Sequence, residues 1–410
     1  MTKDYSNSPK IIKIIHTADF HLGATFKQII GPKTEEKRRE DFKKNLKYII
    51  DTAIKRNVDL FLISGDIFQR SDPSPKDFVD FARQVGRLAE AGIHTVIIAG
   101  NHDKPKIAGA QNPLQGLVEA KAPFFHYVQS LPETPLILDV KDSKIGIVPI
   151  PYIDPRIVQM LSGISYEGFI KEKIGTLKDH PEIKDADYTI LMAHLILSGA
   201  KVSDDFLRYG EEPRVGRGSL YEDHFDYIAL GHVHKPQKIG NKICYPGSIE
   251  RLNFAEEKEN KSFLYIEIKP DNISIEEIPL HCRPMITKSV SIAEEVNPIQ
   301  VILSVIKSLN IEPGTILRLV LEANINTWRK IEKEWNIVED ELLNNLNLFG
   351  YSLVRKKYGI PERSLKPIEP RKIPLRTRIL EYIDSLVIDE RIKKRAKELA
   401  EEFMNEVELT

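Results

Sequence analysis

Three consecutive stretches decide the fold: VDLFLISGD at residues 58–66, FVDFARQVGRLAEAG at residues 78–92 and HTVIIAGNHD at residues 94–103. The first and third begin with short apolar runs rich in Ile, Val and Leu, which is typical of strands buried on both faces. The second repeats its apolar residues at helical spacing. A strand, a helix and a second strand in this order predict a parallel sheet covered by helices, and therefore the α/β class.

The same alternation extends to both sides of these stretches. IIKIIHTAD at residues 11–19 and DFKKNLKYIIDTAIKR at residues 41–56 provide another strand and another helix. Later apolar stretches, at residues 143–152, 187–197 and 225–234, are separated by less helical sequence. We therefore expect a second sheet that is more antiparallel than the first, and a sandwich of two sheets flanked by helices.

The length of 410 residues exceeds one ordinary hydrophobic core and predicts two or three domains. We assign residues 1–280 to the sandwich, and residues 281–354, where the strand and helix pattern restarts, to a smaller α/β domain. Four prolines among charged residues make residues 355–374 an extended linker. Residues 375–410 follow as two helices, the second of them amphipathic.

Composition excludes several classes of protein. The 59 Lys and Arg residues nearly balance 60 Asp and Glu residues, so contact with a polyanion must come from local basic patches. Two cysteines, Cys244 and Cys282, rule out a disulfide framework and a four-cysteine zinc site. No apolar stretch approaches the ~20 residues that span a bilayer. The polar start of the chain differs from a signal peptide, and we expect a cytoplasmic or nucleoid-associated protein without membrane contact.

Polar motifs follow five of the apolar runs. Their residues are Asp19 and His21, Asp66, Asn101 with His102 and Asp103, His194, and His232 with His234. Carboxyl ends of strands gather at one edge in layered α/β folds, so these side chains can converge. A single Asp-x-His is more often a hydrogen-bonded core element, but five such motifs in series favour a metal centre. Oxygen and imidazole ligands together suit Mn, Fe, Zn or Co.

Five stretches carry a resemblance to a known family. They are HTADFHLG at residues 16–23, GDIFQRSDPSP at 65–75, AGNHD at 99–103, ALGHVHKPQ at 229–237 and YPGSIERLNFAEE at 245–257. Together they resemble the calcineurin-like metallophosphoesterase superfamily and, within it, the SbcD/Mre-eleven nucleases of DNA double-strand-break repair. The resemblance implies a four-layer sandwich for the first domain and a DNA-binding capping domain at residues 281–354.

The resemblance also implies roles for individual residues. One metal ion is expected between Asp19, His21, Asp66 and His234, and a second between Asp66, Asn101, His194 and His232. A carboxylate such as Asp66 that bridges two cations offsets their repulsion. Two Mn²⁺ ions per chain are expected, with Mg, Zn, Fe or Co as alternatives. His102 is expected to contact the scissile phosphate and protonate the leaving oxygen, oriented by Asp103.

The family's activity and partners follow as expectations. They are Mn-dependent endonuclease and 3'-5' exonuclease cleavage of DNA ends or hairpins, a homodimer, and an ABC-type ATPase of the SbcC/Rad-fifty family bound by residues 375–410. The chain itself has no Gly-x-x-x-x-Gly-Lys-Ser/Thr element for ATP. Arg70, Lys104 and Arg251 are candidate contacts to DNA phosphates. Many relatives carry a histidine where this chain has Gln69, which puts the exonuclease activity in question.

Two other functions remain open at this point. The chain can be a metallophosphoesterase of small phosphodiesters or phosphoproteins, which would show no preference for DNA ends or hairpins. It can also be a noncatalytic protein that kept the fold, in which case it would bind almost no metal. The complete ligand set and His102 argue against the noncatalytic alternative.

Overall fold

The computed structural model describes residues 10–26, 28–105, 111–203, 212–270, 272–293, 297–357, 380, 382–384 and 390–407. The chain divides into two compact units, Met1–Lys356 and Lys357–Thr410. The predicted sandwich and capping domains therefore belong to one unit, and most of the predicted linker and the helical tail belong to the other.

The strands of the described residues, in chain order, are β1 (Ile12–Thr17), β2 (Leu60–Ile63), β3 (His94–Ile98), β4 (Phe125–Val128), β5 (Leu136–Val140), β6 (Ser143–Ile150), β7 (Tyr188–His194), β8 (Tyr227–Gly231), β9 (Gln237–Ile239), β10 (Ile243–Tyr245), β11 (Ser262–Lys269), β12 (Asn272–Pro279), β13 (Met285–Ser291), β14 (Ile316–Ala323) and β15 (Gly350–Lys357). The helices are α1 (Thr34–Lys55), α2 (Pro75–Glu90), α3 (Leu114–Glu119), α4 (Pro155–Ser162), α5 (Tyr166–Lys178), α6 (Pro181–Lys184), α7 (Pro298–Ser308), α8 (Ile325–Lys333), α9 (Trp335–Asp340) and α10 (Glu390–Val407).

Two six-stranded sheets form the sandwich, in the orders β12-β11-β1-β2-β3-β4 and β5-β6-β7-β8-β10-β9. The expectation that the second sheet is more antiparallel was wrong. Each sheet has three parallel and two antiparallel strand pairs. The crossover between the parallel strands β6 and β7 is made by helices of 8, 13 and 4 residues, which are too short to dominate the sequence pattern.

The sandwich has four layers, as expected. Side chains from β1, β2 and β3 face side chains from β6, β7 and β8 in one apolar layer between the sheets. The opposite face of the first sheet packs on α1 and α2, and that of the second sheet packs on α5 and α6. Strands buried on both faces explain why these runs are continuously apolar rather than alternating.

The smaller α/β domain matches the predicted pattern with one difference. Strands β13, β14 and β15 form a three-stranded sheet, and α7, α8 and α9 pack on it. The sequence pattern of residues 328–346 predicts a single helix between β14 and β15. The helix breaks instead at Glu334 (φ −118°, ψ 16°), and beyond the break Trp335 donates a hydrogen bond of 2.9 Å to the hydroxyl of Tyr351.

A buried ion network joins the sandwich to the smaller domain. The guanidinium of Arg38 on α1 is fully buried and lies 3.0 Å from the carboxylate of Glu250 and 3.2 Å from that of Asp41. Arg283, just before β13, donates two hydrogen bonds of 2.7 Å to Asp41 and one of 2.9 Å to the carbonyl of Gly314. The network therefore ties α1 to the segment just before β13, the first strand of the three-stranded sheet.

The helical tail is described only in part. Helix α10 carries Ile392 and Leu399, which are 61% and 48% exposed, in line with the predicted amphipathic helix. Most of the other predicted tail helix, at residues 375–389, lies outside the described residues. Within the described part of the chain, no helix combines the length and apolar character needed to cross a bilayer.

Replacing Arg38 by methionine tests the ion network. The change leaves the buried carboxylate of Glu250 without its cation, so we expect the free energy of unfolding to fall by about 3 to 5 kcal/mol in chemical denaturation. Arg83→Met removes an exposed ion pair with Asp80 on α2 and is expected to change the free energy of unfolding by less than about 0.5 kcal/mol. Equal losses in the two variants would contradict the role of the network.

Candidate metal centre

The five motifs lie together where the two sheets end. Asp19 follows β1, Asp66 follows β2, and Asn101 follows β3 in the first sheet; His194 ends β7 and His232 follows β8 in the second. Three groups of three side chains bring their ligand atoms within 4.8 Å of one another, and one of them, formed by His21, Asp66 and His102, overlaps the other two. The first group is Asp19, His21 and His234, and the second group is Asp66, His194 and His232.

Left-handed backbone turns the ligands toward this point. Asp19, His21, Asp66 and His232 have φ angles of 51°, 45°, 55° and 88°, a region that costs of order 1 to 3 kcal/mol per residue. Backbone hydrogen bonds of 3.0 Å from Asp19 N–H to the carbonyl of Gly65 and from His21 N–H to that of Asp66 hold the first two loops together. The surrounding fold thus sustains the strain.

The first group brings two imidazoles together at their edges, with ring planes 74° apart. The Nε2 atoms of His21 and His234 are 3.2 Å apart. Nδ1 of His234 donates a hydrogen bond of 2.9 Å to the carboxylate of Glu256, which leaves Nε2 with its lone pair in the neutral ring. The buried carboxylate of Asp19 completes the group and accepts the backbone N–H of His232.

The second group is arranged in the same way. Nδ1 of His194 donates a hydrogen bond of 2.7 Å to the carbonyl of Ser64, so Nε2 carries the lone pair. That Nε2 lies 3.1 Å from Oδ1 of Asn101, which joins the amide to this group. The ring of His232 lies 4.8 Å from the ring of His194, measured between centroids.

Asp66 stands between the two groups. Its Oδ2 is 3.6 Å from Nε2 of His21 and 3.6 Å from Nε2 of His194. Its Oδ1 accepts the backbone N–H of His102 at 2.9 Å, which fixes the carboxylate. One buried carboxylate oxygen is therefore equidistant from an imidazole of each group.

The electrostatics of the centre favour a cation. Burial and the neighbouring Asp66 raise the pKa of Asp19 well above its usual value. Burial lowers the pKa of His194 to about 4 and that of His21 well below its usual value, so both imidazoles are neutral near pH 7. Burial alone would raise the pKa of Asp66, but His194 and then His21 lower it below the usual range.

The donor set fits divalent metal ions. Nitrogens 3.2 Å apart, as in His21 and His234, have the separation of neighbouring ligands on an ion with metal–nitrogen distances of about 2.1 Å. Nδ1 of His21 is buried without a hydrogen-bond partner among the described residues. Such burial costs free energy unless another interaction fixes the ring. Two buried carboxylates beside neutral imidazoles gain most from a positive ion.

His102 lies beside both groups. Its ring is 4.8 Å from that of His21, and its Nδ1 donates a hydrogen bond of 2.9 Å to the carbonyl of Gln69. The sequence had led us to expect this orienting role of Asp103. The buried carboxylate of Asp103 instead accepts the backbone N–H groups of Ile67 at 3.0 Å and Gly100 at 2.9 Å, and so ties the loop that carries Asp66 to the loop that carries Asn101.

The three candidate DNA contacts occupy different environments. Arg70 is 73% exposed and is paired with the equally exposed Asp72. Lys104 is half-buried, and burial lowers its pKa. Arg251 donates hydrogen bonds of 2.9 Å to the carbonyls of Glu259 and Arg283, so its guanidinium is a structural cross-link rather than a free cation.

Sequence reasoning missed two residues that contact the centre. Glu256 accepts the hydrogen bond from Nδ1 of His234, and Glu212 lies 2.5 Å from Nε2 of His232. Glu256 falls inside the quoted stretch at residues 245–257, but one of three acidic residues there had no distinguishing signal. Glu212 lies between β7 and β8 and had none.

Glycines line the centre because a side chain would enter it. A Cβ atom on Gly100 would lie 2.0 Å from Oδ1 of Asp66, and one on Gly65, where φ is +96°, would lie 2.2 Å from Nδ1 of His194. Such separations are far below van der Waals contact. These positions therefore need glycine.

A Gly100→Ala variant tests the central position of Asp66. The methyl group must displace the Asp66 carboxylate, so we expect bound divalent metal, measured by elemental analysis after equilibration with Mn²⁺, to fall by at least about tenfold. Gly86→Ala on α2, where an added Cβ meets nothing within 4 Å, is the control and should retain its metal. Normal metal content in folded Gly100→Ala would show that Asp66 does not hold the ions.

Comparison with known proteins supports the interpretation of these residues as the metal centre of a phosphoesterase. The chain is 26% identical over 293 residues to DNA double-strand break repair protein Mre11 of Aeropyrum pernix, covering 69% of this chain and 64% of that protein. It is 29% identical over 266 residues to the SbcD component of the nuclease SbcCD of Escherichia coli K12, covering 60% and 62%. It is also 25% identical over 270 residues to the uncharacterized metallophosphoesterase YhaO of Bacillus subtilis 168, covering 65% and 59%.

These similarities confirm the resemblance that the motifs indicated. The chain spans less than two thirds of the length of each of the three relatives. The model of the calcineurin-like phosphoesterase family matches residues 12–236, which contain all the residues of both groups. Because this match covers more than half of the 410 residues, the chain belongs to the calcineurin-like phosphoesterase family.

Proposed function

We propose that this protein is a metal-dependent deoxyribonuclease that uses two divalent ions in the repair of DNA double-strand breaks. The observation that carries the proposal is the position of Asp66, whose Oδ2 lies 3.6 Å from one imidazole of each group, with His102 beside it. Similarity to an Mre11 protein and to a component of the SbcCD nuclease supports DNA as the substrate.

The proposal assigns each side chain near the centre to an ion. Asp19, His21 and His234 hold the first ion; Asn101, His194 and His232 hold the second; and Asp66 is shared. When bound, two such ions supply positive charge for the phosphate oxygens and lower the pKa of the attacking water. Mn²⁺ is our choice, and Mg, Zn, Fe and Co suit the same mixture of oxygen and nitrogen ligands.

His102 is proposed as the catalytic residue. The hydrogen bond from its Nδ1 to the carbonyl of Gln69 fixes the ring and directs Nε2 away from that carbonyl. A protonated Nε2 can contact a phosphate oxygen and give its proton to the departing 3'- or 5'-oxygen of the cleaved strand. Asp103 acts indirectly, because it ties the loop of Asp66 to the loop of His102 through the N–H groups of Ile67 and Gly100.

Gln69 bears on the kind of cleavage. Its backbone carbonyl orients His102, and any side chain at this position would leave that carbonyl in place. Its amide side chain cannot exchange protons as the histidine of many relatives can. We therefore propose endonuclease cleavage as the main activity and weaker 3'-5' exonuclease cleavage.

DNA binding and partners complete the proposal. Arg70 and Lys104 follow the second and third motifs, close in sequence to the centre, and suit phosphate contacts that carry no sequence preference. The exposed apolar residues of α10 suit the coiled coil of an ABC-type SbcC/Rad-fifty ATPase, since an amphipathic helix binds through such a face. A homodimer is proposed from the resemblance alone.

Cleavage of linear and hairpin-ended DNA with Mn²⁺ tests this function. Wild type is expected to cut both, and His102→Leu is expected to lose at least about 100-fold in rate while retaining its metal, because proton transfer contributes about 10²- to 10⁴-fold. His281→Leu, at an exposed histidine outside the centre, is the control and should cut normally.

Different outcomes separate the alternatives. Rapid hydrolysis of a small chromogenic diester, without preference for DNA ends or hairpins, would favour a phosphodiesterase of small substrates. Wild type that holds metal but leaves DNA intact until an SbcC-type ATPase is added would make the partner obligatory. Wild type that binds almost no metal would contradict the enzyme assignment.

A further inference from the structure

Two glutamates outside the five motifs each contact one candidate ligand histidine. Glu256 contacts His234 of the first group, and Glu212 contacts His232 of the second. Oε2 of Glu212 lies 2.5 Å from Nε2 of His232, and Oε1 of Glu256 lies 2.9 Å from Nδ1 of His234. The other two fixed imidazoles, His194 and His102, donate to backbone carbonyls. The histidines that follow β8 are therefore the ones held by carboxylates.

The contact decides which nitrogen each imidazole offers. A neutral ring carries one N–H, and the nitrogen that donates it cannot bind a metal ion. His232 donates from Nε2 and so offers Nδ1, whereas His234 donates from Nδ1 and offers Nε2. A carboxylate partner also makes the imidazole a stronger ligand, because its negative charge raises the basicity of the ring.

The two glutamates are held differently. Glu256 is fully buried, and its Oε2 lies 2.7 Å from Nζ of the buried Lys261 and accepts the N–H of Leu252 at 3.1 Å. The side chain of Glu212 is 35% exposed and reaches His232 from the segment between β7 and β8. Because the side chain of Glu212 is partly exposed, it can be changed without disturbing Lys261 or the first group.

We propose that Glu212 is a positioning residue that sets the affinity for the second metal ion alone, through His232, while Glu256 does the same for the first ion through His234. The proposal rests on the two-ion centre described under the proposed function. It adds a role for two residues that do not bind the ions themselves.

Mn²⁺ binding to the full-length chain tests the proposal. Free Mn²⁺ is counted by electron paramagnetic resonance during titration of wild type and of Glu212→Gln, Glu256→Gln and His232→Asn. Wild type is expected to bind two ions. Glu212→Gln should bind one ion as wild type does and the other about 10- to 100-fold more weakly, because a neutral amide can still accept the hydrogen bond but no longer supplies the negative charge that strengthens His232 as a ligand.

A double-mutant cycle shows whether Glu212 acts through His232. If it does, adding Glu212→Gln to His232→Asn causes no further loss of Mn²⁺ affinity. Adding Glu256→Gln to His232→Asn, by contrast, weakens the binding of the remaining ion. Glu222→Gln, which removes the same charge from a surface pair with Arg217, is the matched control and should bind both ions as wild type does. Thermal unfolding of each variant reports whether the fold is intact.

Two results would overturn the proposal. Glu212→Gln with a wild-type isotherm would show that the contact does not influence the second ion. An equal loss of affinity for both ions in Glu212→Gln would show that Glu212 acts on the fold as a whole. The proposed function is judged separately. Wild type that binds a single Mn²⁺ ion would contradict the two-ion centre. Wild type that binds two ions but leaves DNA intact would contradict the nuclease activity and leave the role of Glu212 standing.

Discussion

The burial of Asp19 and Asp66 beside each other at the shared edge of two sheets is the constraint on which the centre depends. The two buried carboxylates repel each other, and the pKa of Asp19 is raised by its burial and by the charge of Asp66. A positive charge between them removes the conflict. The close approach of lone-pair nitrogens from His21 and His234 follows the same logic, since both gain from one ion. Metal and fold therefore stabilise each other.

Loops that carry ligands are also the loops that meet the smaller domain. Ile29, soon after the first motif, shares a small apolar cluster with Met285 and Phe349 of that domain. Phe254 belongs to the same cluster and lies on the turn that carries Glu256, the partner of His234. Packing against the smaller domain thus supports ligands of the first group, and the Arg38 network reinforces the same junction.

Sequence reasoning was strongest where chemistry and local pattern coincide. The polar residues at strand ends included all the members of both groups, because polar side chains that follow buried apolar strands are costly to bury unless they bind something. It was weakest for relations between distant segments. The parallel pairing of β6 and β7 depends on short helices, and the cross-link made by Arg251 depends on carbonyls that only folding brings near. Neither has a periodic signal.

By itself the sequence determined the α/β sandwich and the positions of the candidate metal ligands and of His102, since each follows from residue type and spacing along one strand or loop. Only the tertiary structure decided which nitrogen each histidine offers and which partner fixes it. Those partners are the carbonyls of Ser64 and Gln69 and the carboxylates of Glu212 and Glu256, between 20 and 130 residues away from their histidines. Hydrogen bonds depend on distance and direction in space, which residue spacing does not encode.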